Sequence, residues 1–226
     1  MIKNKKNGQI IVISSPSGGG KSSVIAGLLK KRKNIWLSIS TTTREMRSND
    51  IPGVTYNFTT KEDFEKKIKE DFFLEYASYV SNYYGTPKGP IKDKLNQGID
   101  VILEIEIEGA KKIKELIPEA IFIFIMPPSI KVLLERLKKR NTETNDKLLK
   151  RFHKTYQEIN EVSKYNYVVV NDNLEDAIDK VDAIITAEKC SVDRIEEVYL
   201  DTKEEEIHEL LINEDFNNEG IANKLN

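Results

Sequence analysis

Apolar residues along the chain come in short runs separated by polar stretches with a different spacing. Gln9 to Ser14 (QIIVIS), Trp36 to Ile39, Asp100 to Ile105 (DVILEI), Ala120 to Met126 (AIFIFIM) and Tyr165 to Val170 (YNYVVV) are rich in β-branched and aromatic residues. Each is too short for a core helix and reads as a buried strand. Between them the spacing turns helical. Lys21 to Lys33 carries Val24, Leu28 and Leu29 on one face, and Glu108 to Ile117 ends at Pro118. Ser129 to Arg140 and Lys147 to Val162 are further helical patterns. Asn173 is placed as an N-cap for a helix through Ala177, Ile178, Val181 and Ile184 towards Glu188. Strands alternating with helices predict an α/β fold, a parallel sheet covered by helices on both faces.

Residues 40–95 break the alternation. Thr55 to Thr59 alternates like a strand, Thr60 to Lys69 is helical with Thr60 and Asp63 as a capping pair, and Phe72 to Tyr79 and Asn82 to Thr86 read as strands. The expectation is an inserted α+β subdomain. The charged helical stretch over residues 129–160 is expected to be a second insertion. From Ser191 the spacing of Ile195, Val198, Leu200, Ile207, Leu210 and Leu211 has helical character, before an Asn-rich end. Residues 189–226 are thus expected as an acidic extension, helical or partly disordered, whose protein partner, if any, stays unknown.

Composition narrows the function. With 39% hydrophobic and 32% charged residues the chain is ordinary for a globular domain. Its longest apolar stretch, Ala120 to Pro128, is far short of the roughly 20 residues of a membrane span. The basic start, Met1 to Gln9, is followed by only a brief apolar run, unlike a secretory leader. Cys190 stands alone with His153 and His208, which excludes a disulfide framework and a Cys-based zinc site. These features predict a cytoplasmic protein with no membrane partner. A net charge of −2 argues against nucleic acid as a partner.

The strongest chemistry lies between the first strand and the first helix. Ser15-Pro16-Ser17-Gly18-Gly19-Gly20-Lys21-Ser22, continued by Ser23, matches the phosphate-loop pattern except that Ser15 replaces its first glycine. Glycines let backbone N–H groups turn inward around phosphate oxygens, and the helix N-terminus adds partial positive charge. Lys21 would reach the β- and γ-phosphates of a nucleotide, and the Ser22 hydroxyl would ligate Mg²⁺. A GTPase would also need an N-K-x-D sequence, and the chain has none. Arg44 and Arg47, three apart in STTTREMR, offer two planar donor forks to one phosphate. Glu104 and Glu106, two apart in VILEIEI, are expected on one face near the carboxyl end of their strand, where α/β folds bind ligands.

Taken in order, SSPSGGGKSS, SISTTTREMR, FFLEYASYVSNYYGT, VILEIEIEGA, FIFIMPPS, RLKKRNTET and VVVND resemble guanylate kinase over residues 8–188. The resemblance implies transfer of the γ-phosphoryl of ATP to GMP (and dGMP) with Mg²⁺. It also implies a phosphate-loop core, a GMP-binding insertion at about residues 40–95 and a helical lid at about 129–160. It places Ser40, Arg44, Arg47, Tyr56, Glu75, Tyr84, Thr86, Glu104 and Glu106 around GMP, with Glu75 receiving guanine N1–H and the 2-amino group. Arg136 and Asn171 would lie on the ATP side, and Arg140 and Arg151 would close over the phosphates as lid arginines. Glu104 would approach Mg²⁺ through water. The chain departs from the family in carrying glutamate at 104 and 106, where aspartate is common. Two other readings stand beside this one: a non-catalytic guanylate-kinase-like module that binds phosphopeptides, and a related kinase with another acceptor. The intact phosphate loop opposes the first, and Glu75 with Ser40 opposes the second.

Lys21→Ala is expected to lower turnover by about 100-fold or more with the fold intact, because it removes a charge aimed at the transferring phosphoryl. The measurement is ADP release at saturating ATP and acceptor, alongside circular dichroism. Wild-type turnover would take the loop out of the mechanism.

Overall fold

The computed structural model describes residues 2–4, 7–79, 81–139 and 155–198. The described residues fall in two compact units, one within residues 7–186 and the other formed by residues 2–4 and 187–198. In chain order the strands begin with β1 (Ile2–Asn4), β2 (Ile10–Ser14), β3 (Ile35–Leu37), β4 (Thr41–Thr42) and β5 (Asn57–Phe58). They continue with β6 (Phe73–Tyr79), β7 (Asn82–Pro87), β8 (Asp100–Glu104), β9 (Ile121–Met126), β10 (Tyr167–Val170) and β11 (Ile195–Val198). The helices are α1 (Lys21–Lys31), α2 (Lys61–Lys69), α3 (Lys88–Asn96), α4 (Ile107–Leu116), α5 (Ile130–Lys139) and α6 (Leu174–Glu188). Residues 155–160 are also helical.

The core of the larger unit is a parallel five-stranded sheet in the order β10-β9-β2-β8-β3. Its strands are apolar on both sides because both faces are covered, and the two-residue period sorts them. Ile11 and Ile13 of β2, with Ile121, Ile123 and Ile125 of β9, pack under Val24, Ile25 and Leu28 of α1 and Ala177, Val181 and Ile185 of α6. Ile10, Val12, Val101, Leu103 and Phe122 face the other way, onto Ile91 of α3 and Ala110 and Ile113 of α4. The chain leaves β2 for one edge strand, β3, and returns beside β2 as β8. The strand order therefore reverses around β2, and a crevice opens at the carboxyl ends of β2 and β8.

A second sheet, β5-β4-β7-β6, carries α2. Thr60 caps α2 through its hydroxyl, which accepts the Asp63 N–H at 3.1 Å, as the capping pair predicts. Phe64 of α2 is fully buried and stacks on Phe73 (ring centroids 4.4 Å) and Tyr83 (5.2 Å). The rings press so closely on Gly85 of β7 that a Cβ there would stand 2.8 Å from Phe73 and 2.9 Å from Phe64.

Two elements differ from the sequence reading. Helix α3 was not expected, because Gly89-Pro90 in its first turn reads as a loop signal. Proline is harmless in a first turn, and Ile91 with Leu95 gives the helix an apolar edge on the core sheet. The second correction concerns Ile195 and Val198, whose three-residue spacing suggested a helix. They lie instead in β11, antiparallel to β1 with Lys3 opposite Glu197. A four-residue strand paired to the opposite end of the chain leaves no local period to read. The expected lid is described only as α5 and residues 155–160, and the tail beyond residue 198 lies outside the described residues.

Phe64→Ala should destabilise the second sheet by about 3 kcal/mol or more, since it empties the centre of an aromatic stack. Urea unfolding followed by tyrosine fluorescence would measure it. A change below about 1 kcal/mol would show that the sheet does not rest on this ring.

Candidate active site

The loop after β2 is shaped by its glycines. Gly18 and Gly20 have φ of 87° and 94°, left-handed values that side-chain-bearing residues avoid. Gly20 is also the N-cap of α1, and a Cβ on it would stand 2.2 Å from Asn171 Nδ2. The outer arm of the loop is held from outside. The Gly19 carbonyl accepts from Asn171 Nδ2 at 3.1 Å and from Arg136 Nη1 at 3.4 Å, and Arg136 Nη2 donates to the Asn171 carbonyl. The Ser17 N–H donates to Glu158 at 3.2 Å. The inner arm rests on the end of β8. The Ile105 carbonyl accepts from Ser14 Oγ at 2.9 Å and from Lys21 Nζ at 3.4 Å, and the Ser22 hydroxyl donates to Glu104 at 2.7 Å.

This loop lines a cleft of about 370 Å³ together with Glu104 at the end of β8, Glu106 beyond it, and Ser40, Arg47, Tyr56 and Tyr84. Tyr56 and Tyr84 meet edge to face with ring centroids 5.9 Å apart. Burial, reinforced by the negative charge of Glu104, pushes the Tyr56 hydroxyl up to about 12, so it stays a hydrogen-bond donor at neutral pH. The Arg44 guanidinium lies over the Tyr56 ring, 5.3 Å from its centroid, and 2.9 Å from Asp50.

Deeper in the second sheet, Glu75 of β6 and Thr86 of β7 face each other in register, and the Thr86 hydroxyl donates to Glu75 at 2.6 Å. Both residues are buried. Burial raises the Glu75 pKa above the ordinary carboxylate range, against the pull of the Thr86 hydroxyl and the charge of Lys112. Gly109 of α4 makes room for it: a Cβ there would stand 2.8 Å from Glu75 Oε2. A buried carboxylate with its ligand-binding capacity largely unspent beside a phosphate-loop cleft is suited to a base with paired donors.

The family model for guanylate kinase matches residues 7–188. The chain is 54% identical over 206 residues to the guanylate kinase of Clostridium tetani (strain Massachusetts / E88), covering 91% of this chain and 99% of that protein. It is 52% identical over 210 residues to that of Clostridium perfringens (strain 13 / Type A), covering 93% and 97%. Among solved structures, guanylate kinase from Anaplasma phagocytophilum superposes with a TM-score of 0.72 at 32% identity, over 85% of this chain and 92% of that one. The chain belongs to the guanylate kinase family. Its activity is ATP-dependent phosphorylation of GMP to GDP.

Within this guanylate kinase fold the residues anticipated from sequence fall into three groups. Ser15, Pro16, Ser17, Gly18, Gly20, Lys21, Ser22, Ser40, Arg47, Tyr56, Tyr84, Glu104 and Glu106 line the one cleft. Gly19, Arg44, Glu75, Thr86, Arg136 and Asn171 belong to the elements around the cleft without being among the residues that line it, and Ser23 follows on the exposed first turn of α1. Arg140 and Arg151 lie outside the described residues. One expectation is corrected. Glu106 does not share a strand with Glu104, because β8 ends at Glu104 and Glu106 is the N-cap of α4, with φ −74° and ψ 162°. Its backbone is still extended, which keeps both carboxylates on the cleft. Three residues to which the sequence assigned no site role also support the site. Gly109 stood out only as a glycine inside a helix pattern, Asp50 only as the acid of a D-x-x-G spacing that does not follow a core strand, and Glu158 carried no local signal.

Gly109→Ala should press on the Glu75 carboxylate and raise the KM for GMP at least about 10-fold, with the KM for ATP moving less than about 2-fold. Initial rates with each substrate varied in turn would test this. Equal changes for both substrates would mean that α4 as a whole had shifted.

Proposed function

We propose that the cleft binds ATP on the phosphate-loop wall and GMP on the second sheet, with the following division of labour. The N–H groups of Gly18, Gly20, Lys21 and Ser22 and the Lys21 ammonium hold the ATP phosphates, and Arg136 and Asn171 fix the outer arm of the loop on the adenosine side. Arg44, Arg47, Tyr56 and Tyr84 hold the GMP phosphate. Ser40, Thr86 and Glu106 contact the nucleoside, and Glu75 reads the guanine edge. The lid arginines Arg140 and Arg151 would complete the cation shell around the moving phosphoryl. The observation that carries this reading is Glu75, a buried acceptor-only group set opposite Thr86 and backed by a glycine.

In-line transfer needs positioned reactants and dispersed charge more than covalent help from the protein. The GMP phosphate oxygen is already anionic, so no strong general base is required. Lys21, Arg44 and Arg47 offset the charge that builds on the phosphoryl oxygens.

Mg²⁺ fits this donor set. The Ser22 hydroxyl and the Glu104 carboxylate are hard oxygen groups within 2.7 Å of one another, the kind of partial ligand set that Mg²⁺ completes with phosphate and water. The described residues hold no cluster of three or more His, Cys, Asp or Glu that could fix a metal alone, so the ion would arrive with the nucleotide. When bound, it would neutralise phosphate charge that Glu104 and Glu106 otherwise repel. We further propose a cytoplasmic enzyme with no membrane partner. In support, no helix among the described residues is long and apolar enough to cross a membrane.

Competition among nucleoside monophosphates at fixed ATP tests the base reader. GMP and dGMP should be preferred over AMP, CMP and UMP by roughly 10⁴-fold, because adenine sets an acceptor against the carboxylate where guanine has N1–H. Glu75→Gln should erode that preference sharply, while Arg44→Lys should weaken all acceptors alike. Equal use of AMP and GMP by the wild type would defeat the assignment. The raised pKa of Glu75 gives a second readout. A carboxyl whose folded pKa is raised stabilises the fold most when protonated, and that contribution is lost as pH rises through its folded pKa. Glu75→Gln lacks this loss, so its stability relative to the wild type should grow as pH rises from the ordinary carboxylate range towards neutrality. Thermal melts of both proteins across pH would show it, and parallel curves would contradict it.

A further inference from the structure

The two arginines assigned to the GMP phosphate belong to one turn, and a single carboxylate closes it. Asp50 Oδ2 accepts the Arg47 N–H at 2.7 Å and lies 2.9 Å from Arg44 Nη2. The Asp50 N–H donates back to the Arg47 carbonyl at 3.0 Å. Arg44 is fixed from other sides as well. Its Nη1 donates to the Glu45 carbonyl at 2.7 Å, its N–H donates to Thr42 Oγ1 at 3.1 Å, and its guanidinium lies 5.3 Å from the Tyr56 ring and 5.7 Å from Phe58. The Arg44 and Asp50 side chains are only 13% and 12% exposed, so this is a sheltered pair and not a solvated surface contact. Arg47, by contrast, is exposed on the cleft wall.

We propose that Asp50 is a positioning residue for the GMP phosphate, holding Arg44 at a fixed angle over the Tyr56 ring and fixing the backbone of Arg47 at the cleft wall. The proposal rests on reading Arg44 and Arg47 as the phosphate-binding pair. A carboxylate beside an arginine could instead compete with phosphate for it. The placement opposes that. Asp50 is not part of the cleft wall, and it is tied to a backbone N–H that phosphate has no need to take. A guanidinium has five N–H groups, and the Glu45 carbonyl and Asp50 occupy two, leaving donors for a ligand while the plane stays fixed. Donors fixed before the ligand arrives lose less freedom on binding it.

The test is a steady-state series of Asp50→Ala, Asp50→Asn, Arg44→Ala and the Asp50→Ala/Arg44→Ala double variant, with GMP and ATP varied separately and thermal melts in parallel. Asp50→Ala should raise the KM for GMP about 10- to 50-fold, the loss expected of a hydrogen bond to a charged group, with the KM for ATP within about 2-fold. Asp50→Asn should recover most of that, since its amide oxygen can accept the same two bonds. The double variant should be little worse than Arg44→Ala alone, because Asp50 acts largely through Arg44. Four results would overturn the proposal: an unchanged KM for GMP in Asp50→Ala, a lowered one that marks a competitor, a rise shared equally by ATP, or fully additive effects in the double variant. If Arg44→Ala itself leaves the KM for GMP unchanged, the phosphate reading of Arg44 fails and this inference goes with it. If Arg44→Ala raises it and Asp50→Ala does not, only this inference fails.

Discussion

Parallel pairing of β2 with β8 is the constraint on which the site depends. The register sets Ile13 beside Glu104, so the turn leaving β2 comes down on the last residues of β8. At that junction the Ile105 carbonyl takes the Ser14 hydroxyl and Lys21, and Glu104 takes the Ser22 hydroxyl. A phosphate loop made mostly of glycine and serine has little stiffness of its own. Its shape comes from these bonds on the inner side and from Asn171, Arg136 and Glu158 on the outer side. Shifting β8 by one residue would turn Glu104 to the opposite face and uncouple loop and strand together.

A second constraint acts against stability. Glu75 is an ionisable group in a buried place, and burial raises its pKa, so the fold resists the charge that the proposed reading of guanine needs. Thr86 offsets part of that cost with one short hydrogen bond, and Gly109 leaves space that a methyl group would fill. Buried apolar residues of similar volume at these positions would be easier to fold but would lack the acceptor that the proposed reading of guanine needs.

The sequence made legible whatever depends on local period or on short motifs. The strands of the core sheet, α1, the Thr60 cap and the phosphate loop all carry their signal within about ten residues of chain. The inserted sheet showed as a break in the strand–helix alternation and Arg47 through its spacing from Arg44, while Ser40, Tyr56 and Tyr84 were legible only through an ordered set of motifs. What escaped was non-local. Strand β11 forms against the other end of the chain, and α3 is stabilised by a core contact that outweighs its Gly89-Pro90 start. Gly109 acquires its meaning from a carboxylate on β6, and Asp50 from a guanidinium that must first fold back over Tyr56. The place of Glu106 at a helix cap was hidden because an extended cap residue and a strand residue look alike in sequence.

The two halves of the cleft are joined by less chain than their separate sheets suggest. Glu104 closes β8 against Ser22, Glu106 caps α4 on the cleft wall, and Gly109 sits behind Glu75 one turn later. One strand-to-helix junction, residues 104–109, thus touches the phosphate loop at one end and Glu75, the proposed base reader, at the other. Its geometry is fixed by backbone hydrogen bonds within β8 and α4 and by the burial of Ile105 and Ile107. Transfer between two bound nucleotides is sensitive to displacements of about 1 Å. A spacing set by a few residues of buried backbone is far stiffer than one set by the packing of two subdomains.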